Sequence, residues 1–195
     1  LCGCAVPSRE VGDTRLPPTP RDLARQIAEV VGEPRIEEVA PNVWVAQGFD
    51  LANTIVIWTP EGNVVVDASA SPNRAAEIRA AFSKIAPGPT RALIYTHSHL
   101  DHVGGASAWV DEGTEIWATE AFSPHLLKQY GAYRPAESRR AARQYGQHVG
   151  DELLPCTAIG PRLDLAAALE TGVRMPTHTF SGRTRLAIGG LELVL

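Results

Sequence analysis

Hydrophobic residues recur along the first third of the chain with two different periods. Apolar residues three to four positions apart predict a helix over residues 20–31. Three short runs rich in Val, Ile and Trp follow at residues 42–47, 53–59 and 62–68, separated by turn residues. Such runs are typical of consecutive antiparallel strands. The pattern therefore predicts a short helix followed by a three-stranded meander.

The central part of the chain alternates between helical and extended patterns. Ser71-Pro72 has the residue types that begin a helix, and an apolar stripe from Ala75 to Ile85 continues it. The compact apolar run at residues 91–96 predicts a buried strand. Further elements are predicted as helices at 103–111, 122–130, 136–148 and 163–169, and as strands at 115–119, 183–188 and 191–195, the last two forming a hairpin around Gly189-Gly190.

Composition narrows the class of protein. A chain of 195 residues with 44% hydrophobic and 21% charged residues has the size and composition of one globular domain. Its net charge of −4 gives no reason to expect a nucleic acid or an anionic membrane as partner. The apolar runs are far shorter than the roughly 20 residues of a membrane helix, so no transmembrane segment is predicted.

The first 20 residues contain several prolines among polar residues and are predicted to be a tether or linker. The run Leu1-Cys2-Gly3-Cys4 resembles the end of a bacterial lipoprotein signal, in which Cys4 would be acylated. This resemblance implies a lipid anchor and a periplasmic or membrane-anchored location. The alternative is a frayed terminus with two incidental cysteines, because a lone C-x-C is weak evidence for a metal pair.

The candidate chemistry lies in the run His97-Ser98-His99-Leu100-Asp101-His102, directly after the apolar strand at 91–96. Residues two apart in extended backbone point the same way, so His97 and His99 can share one Zn²⁺. Asp101 and His102 follow where the chain turns into a helix, and they can face a second ion. Two such ions would activate a water molecule as hydroxide, which Asp101 would orient.

The alternative to a metal site is a surface loop in which Asp101 only caps a helix. Clustered histidine and carboxylate residues favour the metal. Gly104-Gly105, directly after the run, would let the backbone approach the site closely.

Residues Thr96 to Gly105 resemble the signature of the metallo-β-lactamase superfamily, and the likeness extends over about residues 40–120. It implies an α/β fold of the αββα sandwich type with mixed sheets and a dinuclear zinc site. His97 and His99 match the ligands of the first metal, and Asp101 and His102 those of the second. Asp67 matches an acidic residue that supports the site from behind the ligands, although it could equally be a turn carboxylate.

Two further, shorter matches point to the alkylsulfatase branch of that family. The run from Gly48 to Asn53 resembles its Gly-aromatic-Asp-x-Ala-Asn segment, and the run from Arg139 to Gly146 resembles its Arg-Arg-x-x-x-x-Tyr-Gly helix. If they hold, Tyr145 faces the substrate; otherwise the segment is an amphipathic helix with a half-buried tyrosine.

Residues 21–195 are then expected to be the N-terminal part of the domain, with the second half of the fold incomplete. The remaining metal ligands are expected beyond residue 195. Among the other histidines, only His178 is a candidate for an extra ligand.

The leading functional hypothesis is a zinc-dependent hydrolase that uses metal-bound hydroxide on an ester-like bond of a small molecule, with an alkyl sulfate ester first. The alternatives within the fold are a β-lactamase and a thioester or lactone hydrolase. A redox protein with a di-iron site would replace one histidine of the run by a carboxylate, and His99 argues against it. A binding module without a complete catalytic site is the remaining alternative.

Overall fold

The computed structural model describes residues 19–146, 148–150, 153, 156–157, 160–161 and 170–195. Cys4 and nearly all of the predicted tether at 1–20 lie outside the described residues, as does the predicted helix at 163–169. Within the described part, no helix combines the length and the apolar character that crossing a membrane requires.

The first two predicted helices form, and a side chain caps the start of each. Helix α1 (Pro20–Val30) starts at Thr19, whose side chain accepts a hydrogen bond from Asp22 N while the Asp22 carboxylate accepts from Thr19 N. Helix α2 (Pro72–Phe82) starts at Ser71, whose hydroxyl accepts from Arg74 N. These reciprocal and single caps satisfy backbone donors that a helix start leaves free. Helix α2 buries one face of its side chains against the sheet.

The remaining helical segments are shorter than α1 and α2, except for the last, which has the same length. They are α3 (Leu100–Val103), a 3-10 turn (Ala106–Ala108), α4 (Phe122–Leu127), a π-helical turn (Lys128–Ala132) and α5 (Arg134–Gln144).

The prediction of one helix over 103–111 is wrong. The N–H of Gly105 donates to the carbonyl of Ser69 at 2.9 Å instead of to a carbonyl one turn back in its own helix. This hydrogen bond to a residue distant in sequence therefore interrupts the helix at Gly104 and Gly105.

Seven strands form one mixed sheet in the order β1-β2-β3-β4-β5-β6-β9. Strands β1 to β4 are antiparallel neighbours, whereas the β4–β5, β5–β6 and β6–β9 pairs are parallel. The sheet strands are β1 (Arg35–Ala40), β2 (Val43–Gln47), β3 (Thr54–Thr59), β4 (Gly62–Val66), β5 (Thr90–Ile94), β6 (Glu115–Thr119) and β9 (His178–Phe180). Two separate pairs are β7 (Cys156–Thr157) with β8 (Gly160–Pro161), and β10 (Arg185–Ile188) with β11 (Leu191–Val194).

Both faces of this sheet are covered, and the alternation of side chains along its central strands shows how. Val65 of β4 and Leu93 of β5 belong to the main core, which α2 also enters. Their neighbours Val64 and Ile94 point to the opposite face, where they pack with Leu186 of the β10–β11 hairpin. The predicted α/β class with a mixed sheet is confirmed, and so is the predicted hairpin around Gly189-Gly190.

The topology brings together the two loops that follow the carboxyl ends of β4 and β5. Strands β4 and β5 are parallel with Val66 opposite Ile94, so the residues that follow each strand leave the sheet side by side. Asp67 N donates to the carbonyl of Ile94 at 3.0 Å, which continues the pairing one residue further. The segments after Asp67 and after Tyr95 therefore share one corner of the molecule.

Candidate metal centre

Asp67 binds the segment that leads into the histidine run. Its carboxylate accepts hydrogen bonds from the backbone N–H of Thr96 at 2.9 Å and from the Thr96 hydroxyl at 2.7 Å. Asp67 also has a left-handed backbone conformation, with φ +61°, which Asp tolerates better than most residues. The buried carboxylate thus fixes the end of β5 where the first histidine begins.

Three imidazole rings of the run lie against one another. The ring centroids of His97 and His102 are 4.0 Å apart, and those of His97 and His99 are 4.5 Å apart. His97 and His99 precede α3, for which His99 is the N-terminal flanking residue, while His102 lies in the helix. The structure therefore brings the two histidines after the strand and the one in the turn to a common cluster.

The carboxylate of the run joins this cluster through His102. The distance from His102 Nε2 to Asp101 Oδ2 is 3.4 Å, and the distance from His102 Nδ1 to Asp67 Oδ2 is 2.7 Å. Burial by itself lowers the pKa of His102, but the hydrogen bonds to Asp101 and Asp67 outweigh it and raise that pKa to about 9. In this geometry protonated His102 is held between two carboxylates, and a metal ion bound by this ring would displace its proton.

The environment of His97 has the opposite effect. Burial lowers the pKa of His97, and the neighbouring rings of His102 and His99 lower it further. A neutral imidazole is the form that binds a metal ion. The Nδ1 atom of His97 lies 3.0 Å from the hydroxyl oxygen of Thr96. That hydroxyl donates a hydrogen bond to the carboxylate of Asp67.

Two glycines permit the close approach that the sequence predicted. A Cβ on Gly104 would lie 1.9 Å from the carbonyl oxygen of Ala70, and one on Gly105 would lie 2.2 Å from that of Ala68. The Ala68 N–H donates to the carbonyl of His102 at 2.6 Å. The loop after β4 is therefore packed directly against α3 and its exit.

Asp50 is a half-buried residue of this corner that the metal prediction did not single out. Its carboxylate accepts from Ala70 N and from Leu51 N, each at 2.8 Å. Burial raises the pKa of Asp50, and these two backbone hydrogen bonds oppose the rise. Asp50 thus ties the segment after β2 to the loop that contacts Gly104. In the sequence, Asp50 was notable only as part of the run from Gly48 to Asn53, which resembles a segment of the alkylsulfatase branch.

Tyr130 forms a hydrogen bond with the histidine run. The Tyr130 hydroxyl accepts a hydrogen bond from Leu100 N at 3.1 Å, and burial raises its pKa. Tyr145 follows α5, where its N–H donates to the carbonyl of Ala141 at 2.8 Å. Among the described residues, no hydrogen bond or ring contact joins Tyr145 to His97, His99 or His102, and its proposed substrate contact stays a prediction. A single tyrosine in a helical segment gives no sequence signal for such a role.

The donor set suits zinc in type, since imidazole and carboxylate are both common zinc ligands. The side chains are close together, and Asp67 makes the kind of hydrogen bond that supports a metal-binding histidine. Nevertheless, no group of three or more His, Cys, Asp or Glu side chains across the described ranges is arranged to hold a metal ion. His178 stands on β9 and stacks on Trp117, with ring centroids 4.6 Å apart. The ligand roles of His97, His99, Asp101 and His102 therefore stay predictions.

Comparison with known proteins identifies the family. The sequence model of the metallo-beta-lactamase superfamily matches residues 47–179 of this chain. Two linear primary-alkylsulfatases from Pseudomonas sp. are 30% and 32% identical to this chain over 146 and 149 residues. Those matches cover 71% and 73% of this chain but only 27% and 21% of the two relatives.

A solved structure supports the same assignment. The stereoselective inverting sec-alkylsulfatase from Pseudomonas sp. has a TM-score of 0.70 and 25% sequence identity to this chain. The match covers 88% of this chain and 28% of that protein, so the chain spans well under half the length of the relatives it matches. Because the family model covers most of the sheet together with the whole histidine run, this chain belongs to the metallo-β-lactamase superfamily.

Proposed function

We propose that the chain contributes to the active site of a zinc-dependent hydrolase that acts on an ester-like bond, with an alkyl sulfate ester as the first candidate. The observation that carries this proposal is the packing of the His97 and His102 rings at 4.0 Å beside Asp101. The two primary-alkylsulfatases, at 30% and 32% identity, support the choice of substrate class. The substrate is accordingly a small molecule.

His97 and His99 are the proposed holders of one zinc ion, and Asp101 and His102 of a second. Zinc, when bound, lowers the pKa of a coordinated water and polarises the bond under attack. Asp67 holds the His102 ring through Nδ1 and so fixes its orientation. Asp101 is the proposed catalytic carboxylate, which orients the attacking water and accepts its proton.

Sulfate release tests this proposal. The protein expressed from the complete gene is purified, loaded with zinc and incubated with decyl sulfate, and inorganic sulfate is measured. We expect release by the wild type and a loss of at least about 100-fold in Asp101→Asn, since the variant keeps the shape of the side chain but removes its charge. His178→Ala is the matched control and should retain activity, because His178 stacks on Trp117 instead. Release that is independent of zinc and of Asp101 would refute the proposal.

The same samples distinguish the other reactions of the fold. Hydrolysis of nitrocefin without sulfate release would indicate a β-lactamase, and hydrolysis of a thioester or lactone would indicate those classes. A protein that binds zinc but hydrolyses none of these compounds would be a binding module.

We also propose that residues 1–20 are a tether and that Cys4 is acylated, which would place the protein at a membrane facing the periplasm. This rests on Leu1-Cys2-Gly3-Cys4 alone. In bacterial cells that express the complete gene, Cys4→Ser should move the protein from the membrane fraction to the soluble fraction, and Cys2→Ser should not. Equal fractionation of wild type and both variants would refute acylation.

A further inference from the structure

An open cavity lies beside the histidine cluster. Its volume is about 410 Å³, and His99 forms part of its wall. The rest of the wall comes from α4, the π-helical turn and α5. A molecule in this cavity would therefore touch both the proposed metal centre and the helical segment that follows β6.

The charges on the wall do not balance. Arg140 donates through Nε and Nη2 to Glu137 Oε2, at 3.0 Å and 2.8 Å, so these two side chains neutralise each other. Lys128 is the other cation on the wall, and its Nζ lies 5.7 Å from the centre of the Tyr133 ring. In the described ranges, no carboxylate lies within ion-pair distance of Lys128. The cavity therefore carries one uncompensated positive charge.

We propose that this cavity is a subsite for the anionic group of the substrate and that Lys128 is its specificity-determining cation. The class of ligand is a small organic sulfate or sulfonate. This identification rests on the proposed function, because sulfate esters are the anionic substrates that the function names. The alternative is that Lys128 is an exposed lysine that interacts only with solvent. Binding measurements on Lys128 variants distinguish these two possibilities.

Lys128 suits this role for physical reasons. An ammonium group on a flexible stem can follow an anion over several ångströms, and hydrogen bonds from a charged donor to an anion are about twice as strong as neutral ones. Tyr133 lies below the ammonium and lines the same cavity. Its aromatic face holds the cation near the wall without neutralising it.

Binding of 1-octanesulfonate tests the proposal without requiring any reaction. In this compound a direct C–S bond replaces the C–O–S ester linkage of an alkyl sulfate. It has no ester bond, so hydrolysis cannot obscure the measurement. Isothermal titration is carried out in the presence of a chelator, which removes any contribution from metal. We expect Lys128→Met to weaken binding about tenfold and Lys128→Arg to remain within about threefold of the wild type.

Lys84→Met is the matched control, because Lys84 is the other lysine of the chain, is exposed just beyond α2 and gives the same change in net charge. Its affinity should equal that of the wild type. Equal weakening by both methionine variants, no effect of Lys128→Met, or no binding by the wild type would each overturn the proposal. Absence of sulfate release by the zinc-loaded protein would overturn the proposed function instead, and leaves the sulfonate measurement valid.

Discussion

The imidazole of His102 and the carboxylate of Asp67 are joined by a hydrogen bond of 2.7 Å between Nδ1 and Oδ2. The two residues are 35 positions apart and meet because β4 and β5 are parallel neighbours. Histidines that bind metals commonly donate their second ring N–H to a carboxylate, which fixes the ring and increases its basicity. This contact thus links the sheet topology to the proposed chemistry.

Asp67→Asn should weaken zinc binding by about 10- to 100-fold, as is typical when such a supporting carboxylate is removed. Asparagine also tolerates the left-handed conformation of this position, with φ +61°, so the backbone should persist. Zinc affinity is measured by competition with a chromophoric chelator. Asp50→Asn is the control, because Asp50 binds backbone groups of Ala70 and Leu51 rather than a histidine. Unchanged zinc affinity in Asp67→Asn would contradict the role given to this carboxylate.

Gly104→Ala should destabilise the fold by about 3 kcal/mol, at the upper end of overpacking effects. The added Cβ would lie 1.9 Å from the carbonyl oxygen of Ala70, and that contact is with backbone, which cannot move aside easily. Gly131→Ala is the matched control, since nothing lies within 4 Å of its Cβ and the residue is helical. It should be neutral or stabilising by up to about 1 kcal/mol. Urea unfolding measures both, and equal stability of the two variants would disprove the packing argument.

Asp111 should make the stability of the fold depend on pH at the acid end. Burial raises its pKa, but the hydrogen bonds from Arg79 Nη2 at 2.6 Å and Thr90 N at 2.7 Å outweigh burial and lower it below the ordinary value of 3.8. A lowered folded-state pKa gives stabilisation that is complete above the unfolded-state pKa and is lost as the pH falls through the folded-state value. The relevant window therefore lies below about pH 4.

Asp111→Asn should accordingly reduce the free energy of unfolding by about 1–2 kcal/mol at pH 7, and the difference from the wild type should shrink below about pH 4. Glu192→Gln is the comparison, because the Glu192–Arg185 ion pair is exposed and should contribute less than about 1 kcal/mol. A difference between wild type and Asp111→Asn that stays constant from pH 7 to pH 3 would contradict this account.

Local sequence patterns were enough to predict the elements that carry strong local signals. The hairpin was predictable because Gly189 and Gly190 both adopt positive φ, which two-residue turns require. Strands β2 to β6 were predictable because apolar residues fill both faces of the sheet centre. The cluster of His97, His99 and His102 was predictable in part, since a strand end followed by a turn has few ways to arrange side chains at that spacing.

Features that depend on distant partners were not predictable from local sequence. Strand β9 has three residues, two of them exposed, and it exists only because it pairs with β6. The N–H of Gly105 bonds to Ser69 across the corner, which ends the helix that periodicity had extended. Tyr130 reaches Leu100 through the fold of the segment after β6, and no motif announces that contact.

Zinc binding by variants of the histidine run tests the central claim most directly. Zinc affinity and metal content are measured for the wild type, His97→Ala, His102→Ala and His178→Ala at pH 7.5. We predict that His97→Ala and His102→Ala each weaken the tightest binding by at least about 100-fold, since each removes a proposed ligand, whereas His178→Ala binds like the wild type. Equal zinc affinity in all four proteins, or loss of binding only in His178→Ala, would contradict the assignment of the metal centre.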